Sequence, residues 1–177
     1  NRTNVDLRFL SKRPSHVKDS KNQNGGNDFY LEEPVVWTID YMPNKKFVDD
    51  GKKVKIIDNV GYIASLPNLN RIALRKEKGT DKLIFEGSNY KIVKGYFKRY
   101  EEEDKIDFIE EEEIKEGLDK IFTYDTATKS LIINIPDKKS GYRISYITDF
   151  TDQMQKGYYV KNKIDLYEGN EKLTGQD

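Results

Sequence analysis

Apolar residues recur along most of this chain at every second position. In VVWTIDY, Val35, Trp37, Ile39 and Tyr41 alternate with Val36, Thr38 and Asp40, a period that predicts a strand with one buried face. The stretches KVKIID, RIALR, KLIFEG, YKIVKGYF, SLIINIP, YRISYITDF and YYVKNKIDLY read as further strands, with turn signals such as DDGK, EGSN, PDKKSG and YEGNE between them. Many short strands divided by turns predict an all-β sandwich. One segment departs from the pattern. In EEEDKIDFIEEEEIKEGLDKIF, Ile106, Ile109, Ile114, Leu118 and Ile121 recur at mostly helical intervals, which predicts a short amphipathic helix ending near Gly117.

Two of the apolar rows contain a polar residue. In KKVKIIDNVG, Val54, Ile56, Asp58 and Val60 share a face, and in YYVKNKIDLY so do Tyr158, Val160, Asn162, Ile164 and Leu166. An ionised carboxylate is costly to bury unless it is paired or kept protonated. Lys12, in LRFLSKRP, shares parity with Leu10. Val5, Leu7 and Phe9 have the opposite parity, so an inward Lys12 requires a bulge or twist.

Composition narrows the class. A chain of 177 residues fits a single domain, 1–177, and can enclose a core. Charged residues make up 35%, well above the usual ~25%, so the core is expected beneath a heavily charged coat. Lys plus Arg equals Asp plus Glu at 31 each, and no net field points to nucleic acid or an anionic membrane. No apolar run approaches the ~18 residues of a membrane span, and NRTNVDLRF lacks the form of a signal peptide. The expectation is a soluble chain, an excised or mature fragment.

The absence of cysteine excludes disulfides, thiolate metal sites and cysteine nucleophiles. His16 is the sole histidine, which argues against a histidine metal site and a Ser-His-Asp triad. No phosphate-binding or dinucleotide glycine pattern is present, and no cofactor is expected. The acidic run Glu110–Glu113 reads as a solvated helix face, because calcium loops need spaced oxygens and a turn glycine. Lys18–Asp28, KDSKNQNGGND, reads as a plain loop. No metal site and no enzyme acting on a separate substrate are expected.

Lys, Asp and Asn together nevertheless admit one reaction. Burial disfavours a lysine's ammonium form and favours a protonated Asp. The neutral amine can attack the Asn side-chain carbonyl, while the acid hydrogen-bonds the carbonyl oxygen and shuttles protons as ammonia leaves. The product is an intramolecular isopeptide bond. The competing structural reading is that Asp58 and Asn162 are satisfied core polar groups and that Lys12 reaches past the core to solvent.

The stretches FLSKRP, VVWTIDYMPNKKFVDDGKKVKIIDNV and TYDTATKSLIINIPDKKSGYRISYITDFTDQMQKGYYVKN resemble the collagen-adhesin A-region domains of Gram-positive surface proteins. The resemblance covers most of the chain. Its sharpest elements are the Trp strand, the Asp-terminated strand, the Y-D-x-x-T-K-x-L-I-I-x-I-P hairpin and the Y-x-I-x-Y-x-T strand. It implies a DE-variant immunoglobulin-like sandwich with, here, one short helix. It also implies a self-formed bond joining Lys12 to Asn162 with Asp58 as the catalytic acid. Asn162 takes that position once one residue is inserted in QKGYYVKN. Lys18–Asp28 and the lengthened region from about Lys76 to Glu103 stand out as surface insertions.

By the same resemblance the chain is an extracellular, cell-wall-anchored adhesin domain that binds a host matrix or plasma protein beside neighbouring domains of its own chain. Tyr167 matches an aromatic position of the collagen-binding trench, whereas Ser11 and Thr38 stand where aromatic residues are expected, which argues against collagen itself. The alternative is a stalk or spacer domain with no ligand. If the first and last strands are parallel neighbours, a Lys12–Asn162 bond would carry pulling force past the core.

Overall fold

The computed structural model describes residues 10–16, 34–43, 47–60, 72–150 and 163–173. Among them run strands β1 (Leu10–His16), β2 (Val35–Tyr41), β3 (Val54–Asn59), β4 (Ile72–Leu74), β5 (Tyr90–Tyr100) and β6 (Lys105–Ile114). After a single helical turn, α1 (Leu118–Ile121), come β7 (Phe122–Asp125), β8 (Ser130–Asn134), β9 (Gly141–Phe150), β10 (Lys163–Glu168) and β11 (Glu171–Lys172). One sheet has the order β1-β2-β9-β5-β6, with β4 also on β9, and the other β11-β10-β3-β8-β7. Every pairing is antiparallel. The architecture is an all-β, immunoglobulin-like sandwich.

Alternation builds the core. Val35, Trp37, Ile39 and Tyr41 are all buried, as are Val54 and Ile56 on β3 and Tyr142, Ile144 and Tyr146 on β9. They join Ile92, Phe122, Leu131, Ile133 and Leu166 in one apolar cluster drawn from both sheets. Each such aliphatic side chain contributes about 1.5–3 kcal/mol by leaving water. Two inward polar groups are tied: the Trp37 indole N–H donates to Thr148 Oγ1 at 2.9 Å, and the Tyr90 hydroxyl donates to the Arg75 carbonyl at 2.9 Å.

Three sequence expectations change. The segment read as a helix ending near Gly117 is strand β6, registered against β5 from Ile92↔Ile114 to Tyr100↔Lys105. The register slips between Lys94 and Gly95, and this bulge lets isoleucines at uneven spacing serve a strand. Glu110–Glu113 line the sheet edge, where charge blocks edge-to-edge pairing. The one helical turn follows Gly117, whose φ of 71° suits glycine. KLIFEG makes only the isolated bridge Lys76↔Leu83. Finally, the region from Lys76 to Glu103 is not wholly a surface insertion, because β5 lies between β9 and β6 and buries Tyr90, Ile92 and Val93.

Candidate functional site

The site lies between the sheets, and strand alternation assembles it. Along β1, Leu10, Lys12 and Pro14 are half-buried while Ser11, Arg13 and Ser15 are exposed, so Lys12 faces inward with no bulge in the described part of the strand. Val5, Leu7 and Phe9 lie outside the described residues. Pro14 is tolerated because β1 is an edge strand. Asp58 enters from β3 in the opposite sheet and is completely buried.

Lys12 Nζ lies 2.6 Å from Asp58 Oδ2 and donates to the Tyr146 hydroxyl at 2.9 Å. The Tyr146 hydroxyl donates to the same Asp58 Oδ2 at 2.6 Å. The ammonium end sits 5.1 Å from the centre of the Trp37 ring and 5.3 Å from that of Tyr146. Lys12 keeps 7% of its side chain exposed and Asp58 none. Among the described residues, Asp58 Oδ1 has no hydrogen-bond partner.

This environment favours the uncharged forms. Burial lowers the Lys12 pKa to about 8, against the pull of Asp58. Burial also raises that of Asp58, opposed by the charge of Lys12 and by hydrogen bonds from Lys12 and Tyr146. Two groups that would form a salt bridge in water are thus both pushed toward an amine and an acid, the pair a nucleophilic amide exchange requires.

Sequence reasoning brought Lys12 and Asp58 together but missed Tyr146. The signal was in YRISYITDF, where Tyr142, Ile144 and Tyr146 form the inward row of β9. A phenol buried in such a row needs a polar partner.

Asn162 lies outside the described residues. The strand after it begins at Lys163, which is registered against Asn59, the neighbour of Asp58. Two other asparagines are poorly situated as acceptors. Asn59 follows Asp58 on the strand, so it points to the opposite face, and its Oδ1 accepts from Ser130 Oγ at 2.8 Å. Asn170 lies beyond Glu168, which pairs with Val54 at the far end of β3. Among the described residues, β1 pairs with β2 and β10 with β3, in different sheets.

Tyr167 is half-buried on β10, registered against Lys55 and Lys172, and alternation turns it to the face opposite Leu166. Ser11 is exposed and Thr38 half-buried. Thr38, Lys91, Phe108, Glu110 and Arg143 border a shallow groove of about 240 Å³. Beside it, Asp40 is clamped by Arg13 and Arg143, each at 2.8 Å. Among the described residues no group of three or more acidic or histidine side chains could hold a metal. The Lys18–Asp28 loop and the His16 side chain fall outside that description.

No protein-family model matches the chain, and no curated protein matches it. Among solved structures it is similar to the RrgA Jo.In complex, at 17% identity and a TM-score of 0.47, covering 91% of this chain and 70% of that one. It is also similar to the collagen binding domain of the Erysipelothrix rhusiopathiae surface protein RspB, at 14% identity, a TM-score of 0.41, and coverage of 94% and 44%. A third is the collagen adhesin CNA from S. aureus, at 16%, 0.40, and coverage of 81% and 41%. The chain spans less than half the length of the latter two.

Proposed function

We propose that this chain is a single adhesin-type domain of a Gram-positive surface protein, held together by a self-formed bond between Lys12 and Asn162. The observation that carries the reading is the buried Lys12–Asp58 contact, with Asp58 Oδ1 accepting from no described residue. A core built only for stability gains little from such a pair, since well-packed apolar residues do as well or better. A reactive pair explains its retention.

In the proposed step Lys12 Nζ, as a neutral amine, attacks the side-chain carbonyl carbon of Asn162. Asp58 donates a hydrogen bond to the carbonyl oxygen and passes the proton released from Nζ to the departing nitrogen. One C–N bond forms, one breaks, and ammonia leaves. The chain acts only on itself and needs no cofactor. The product links β1 of one sheet to the chain entering β10 of the other, across the sandwich.

The adhesin role assigns the domain to the cell exterior, anchored to the wall, with a host matrix or plasma protein as partner and Tyr167 among its contacts. One observation favours the stalk alternative. The large exposed apolar side chains among the described residues are Val48, Tyr96 and Ile106, and the β5–β6 register puts Tyr96 and Ile106 on opposite faces, so they form no common binding patch. Intact mass of the folded protein tests the bond: loss of one ammonia, abolished by Lys12→Ala or Asn162→Ala, is expected, and full sequence mass in the parent chain contradicts it. A matrix-protein binding panel with this domain and a longer fragment separates adhesin from stalk.

A further inference from the structure

We infer that Tyr146 is a positioning residue of the cross-linking step, fixing which oxygen of Asp58 carries the proton and where the Lys12 lone pair points. This rests on the Lys12–Asn162 reading and adds a member that neither spacing nor resemblance supplied.

Asp58 Oδ2 accepts from Lys12 Nζ and from the Tyr146 hydroxyl, each at 2.6 Å, whereas Oδ1 accepts from no described residue. A protonated carboxyl has one hydroxyl oxygen and one carbonyl oxygen. An oxygen already receiving two short hydrogen bonds is the carbonyl oxygen, because a proton there would face both donors. The acid proton therefore belongs on Oδ1, free to reach the carbonyl oxygen of the amide under attack.

The same contacts orient the nucleophile. A neutral amine has two N–H bonds and one lone pair. Asp58 Oδ2 and the Tyr146 oxygen, 2.6 and 2.9 Å from Nζ, take the two N–H groups, so the lone pair points away from both. Without the Tyr146 hydroxyl, the acid proton can move to Oδ2 and bond directly to Nζ, occupying the lone pair and silencing the amine. Tyr146 comes from β9, Lys12 from β1 and Asp58 from β3. Among the described residues the other neighbour of the amine is Trp37 on β2, which does not titrate.

The test follows cross-linking by intact mass after chain recovered unfolded from inclusion bodies is diluted into folding buffers across a range of pH. Parent, Tyr146→Phe and Tyr142→Phe chains are compared, the last being a second fully buried tyrosine of the same row. Loss of the Tyr146 hydroxyl is expected to slow the maximal rate roughly tenfold to a hundredfold, the scale of a misplaced reacting group. Tyr142→Phe is expected to leave the rate unchanged.

The Lys12 pKa separates positioning from general loosening. Reaction requires neutral Lys12 with protonated Asp58, so the profile is bell-shaped. The Tyr146 hydroxyl stabilises both charged forms, accepting from an ammonium and donating to a carboxylate. Its removal should therefore lower the Lys12 pKa and raise that of Asp58, whereas a loosened, wetter core returns both groups toward ordinary values; titration of Lys12 Nζ by NMR in Asn162→Ala chains, with and without Tyr146→Phe, reads the direction. A parent chain that keeps its full mass overturns the cross-link and the role of Tyr146 with it. A parent chain that loses ammonia beside a Tyr146→Phe chain equally fast, or slower with a Lys12 pKa moved up toward the ordinary 10.5, overturns the role of Tyr146 alone.

Discussion

Lys12 and Asp58 meet between opposite sheets, Nζ 2.6 Å from Oδ2, with the lysine pKa lowered and the aspartate pKa raised by burial. The contact costs folding energy in its unlinked form, and its pH dependence is calculable in sign. A folded lysine pKa near 8 against an ordinary 10.5 means that the unfolded chain binds more protons between those values, so stability rises with pH across that window. In Asn162→Ala, where no bond can form, the melting temperature should climb from about pH 8 to 10.5 relative to Asn162→Ala with Lys12→Met. Asp58 has the opposite sign: its raised folded pKa gives stability that is complete below the ordinary 3.8 and lost as pH rises toward the folded value. Parallel melting curves for the two variants above pH 8 would contradict a buried, desolvated Lys12.

Removing the acid should separate chemistry from packing. Asp58→Ala leaves Lys12 buried without its counter-charge, a change that costs about 3–5 kcal/mol when a buried pair is broken, and the protein should keep its full sequence mass. Asp58→Asn retains an acceptor for Lys12 and Tyr146 but no acid proton. It should be less destabilised than Asp58→Ala and equally unlinked, as read by chemical denaturation and intact mass.

The bond itself should be worth about 5 kcal/mol if the loop-entropy model for disulfides transfers to a loop on the order of 150 residues. Asn162→Ala should accordingly melt lower and be cut more readily by proteases than the linked parent. Equal protease resistance in both would contradict the stabilisation expected of the bond.

Gly95 should tolerate no side chain. A Cβ there would overlap the Ile109 carbonyl oxygen and come within 2.7 Å of the Phe108 ring, at the slip in register between β5 and β6. Gly95→Ala should cost about 1–3 kcal/mol, as overpacking of a close approach does, with the loss seen first as faster amide exchange in Tyr90–Ile114.

On the proposed adhesin reading, ligand binding should be weaker in the isolated domain than in a longer fragment, because linked modules gain effective concentration. Collagen should bind poorly or not at all, and in a longer fragment Tyr167→Ala should weaken whatever host protein is captured by about 1–2 kcal/mol, the cost of losing an aromatic anchor. Tight collagen binding by this chain alone would contradict this, and a longer fragment silent across the panel would favour the stalk.

Much of the fold was legible because alternation is a local signal. Val35, Trp37, Ile39 and Tyr41 are buried as their period requires, and Asp58 lies in its apolar row. The helix expected before Gly117 failed because Ile109 and Ile114 straddle a bulge, and uneven spacing along a bulged strand imitates helical spacing. The Lys12–Asp58 contact was inferred from the inward parity of Asp58, from the shared parity of Lys12 and Leu10, and from the resemblance to collagen-adhesin domains. Tyr146 was not, because a tyrosine in an apolar row reads as core until the partner of its hydroxyl is known. The opposite-sheet placement of β1 and β10 was also hidden, since strand period says which face is buried and not which sheet a strand joins.

The most direct test is peptide mapping of the folded parent protein by mass spectrometry. A single branched peptide containing both Lys12 and Asn162, lighter by one ammonia than its two parts and absent from Asp58→Ala, is the expected result. Recovery of the Lys12 and Asn162 peptides as separate, unmodified species from fully folded protein would contradict it.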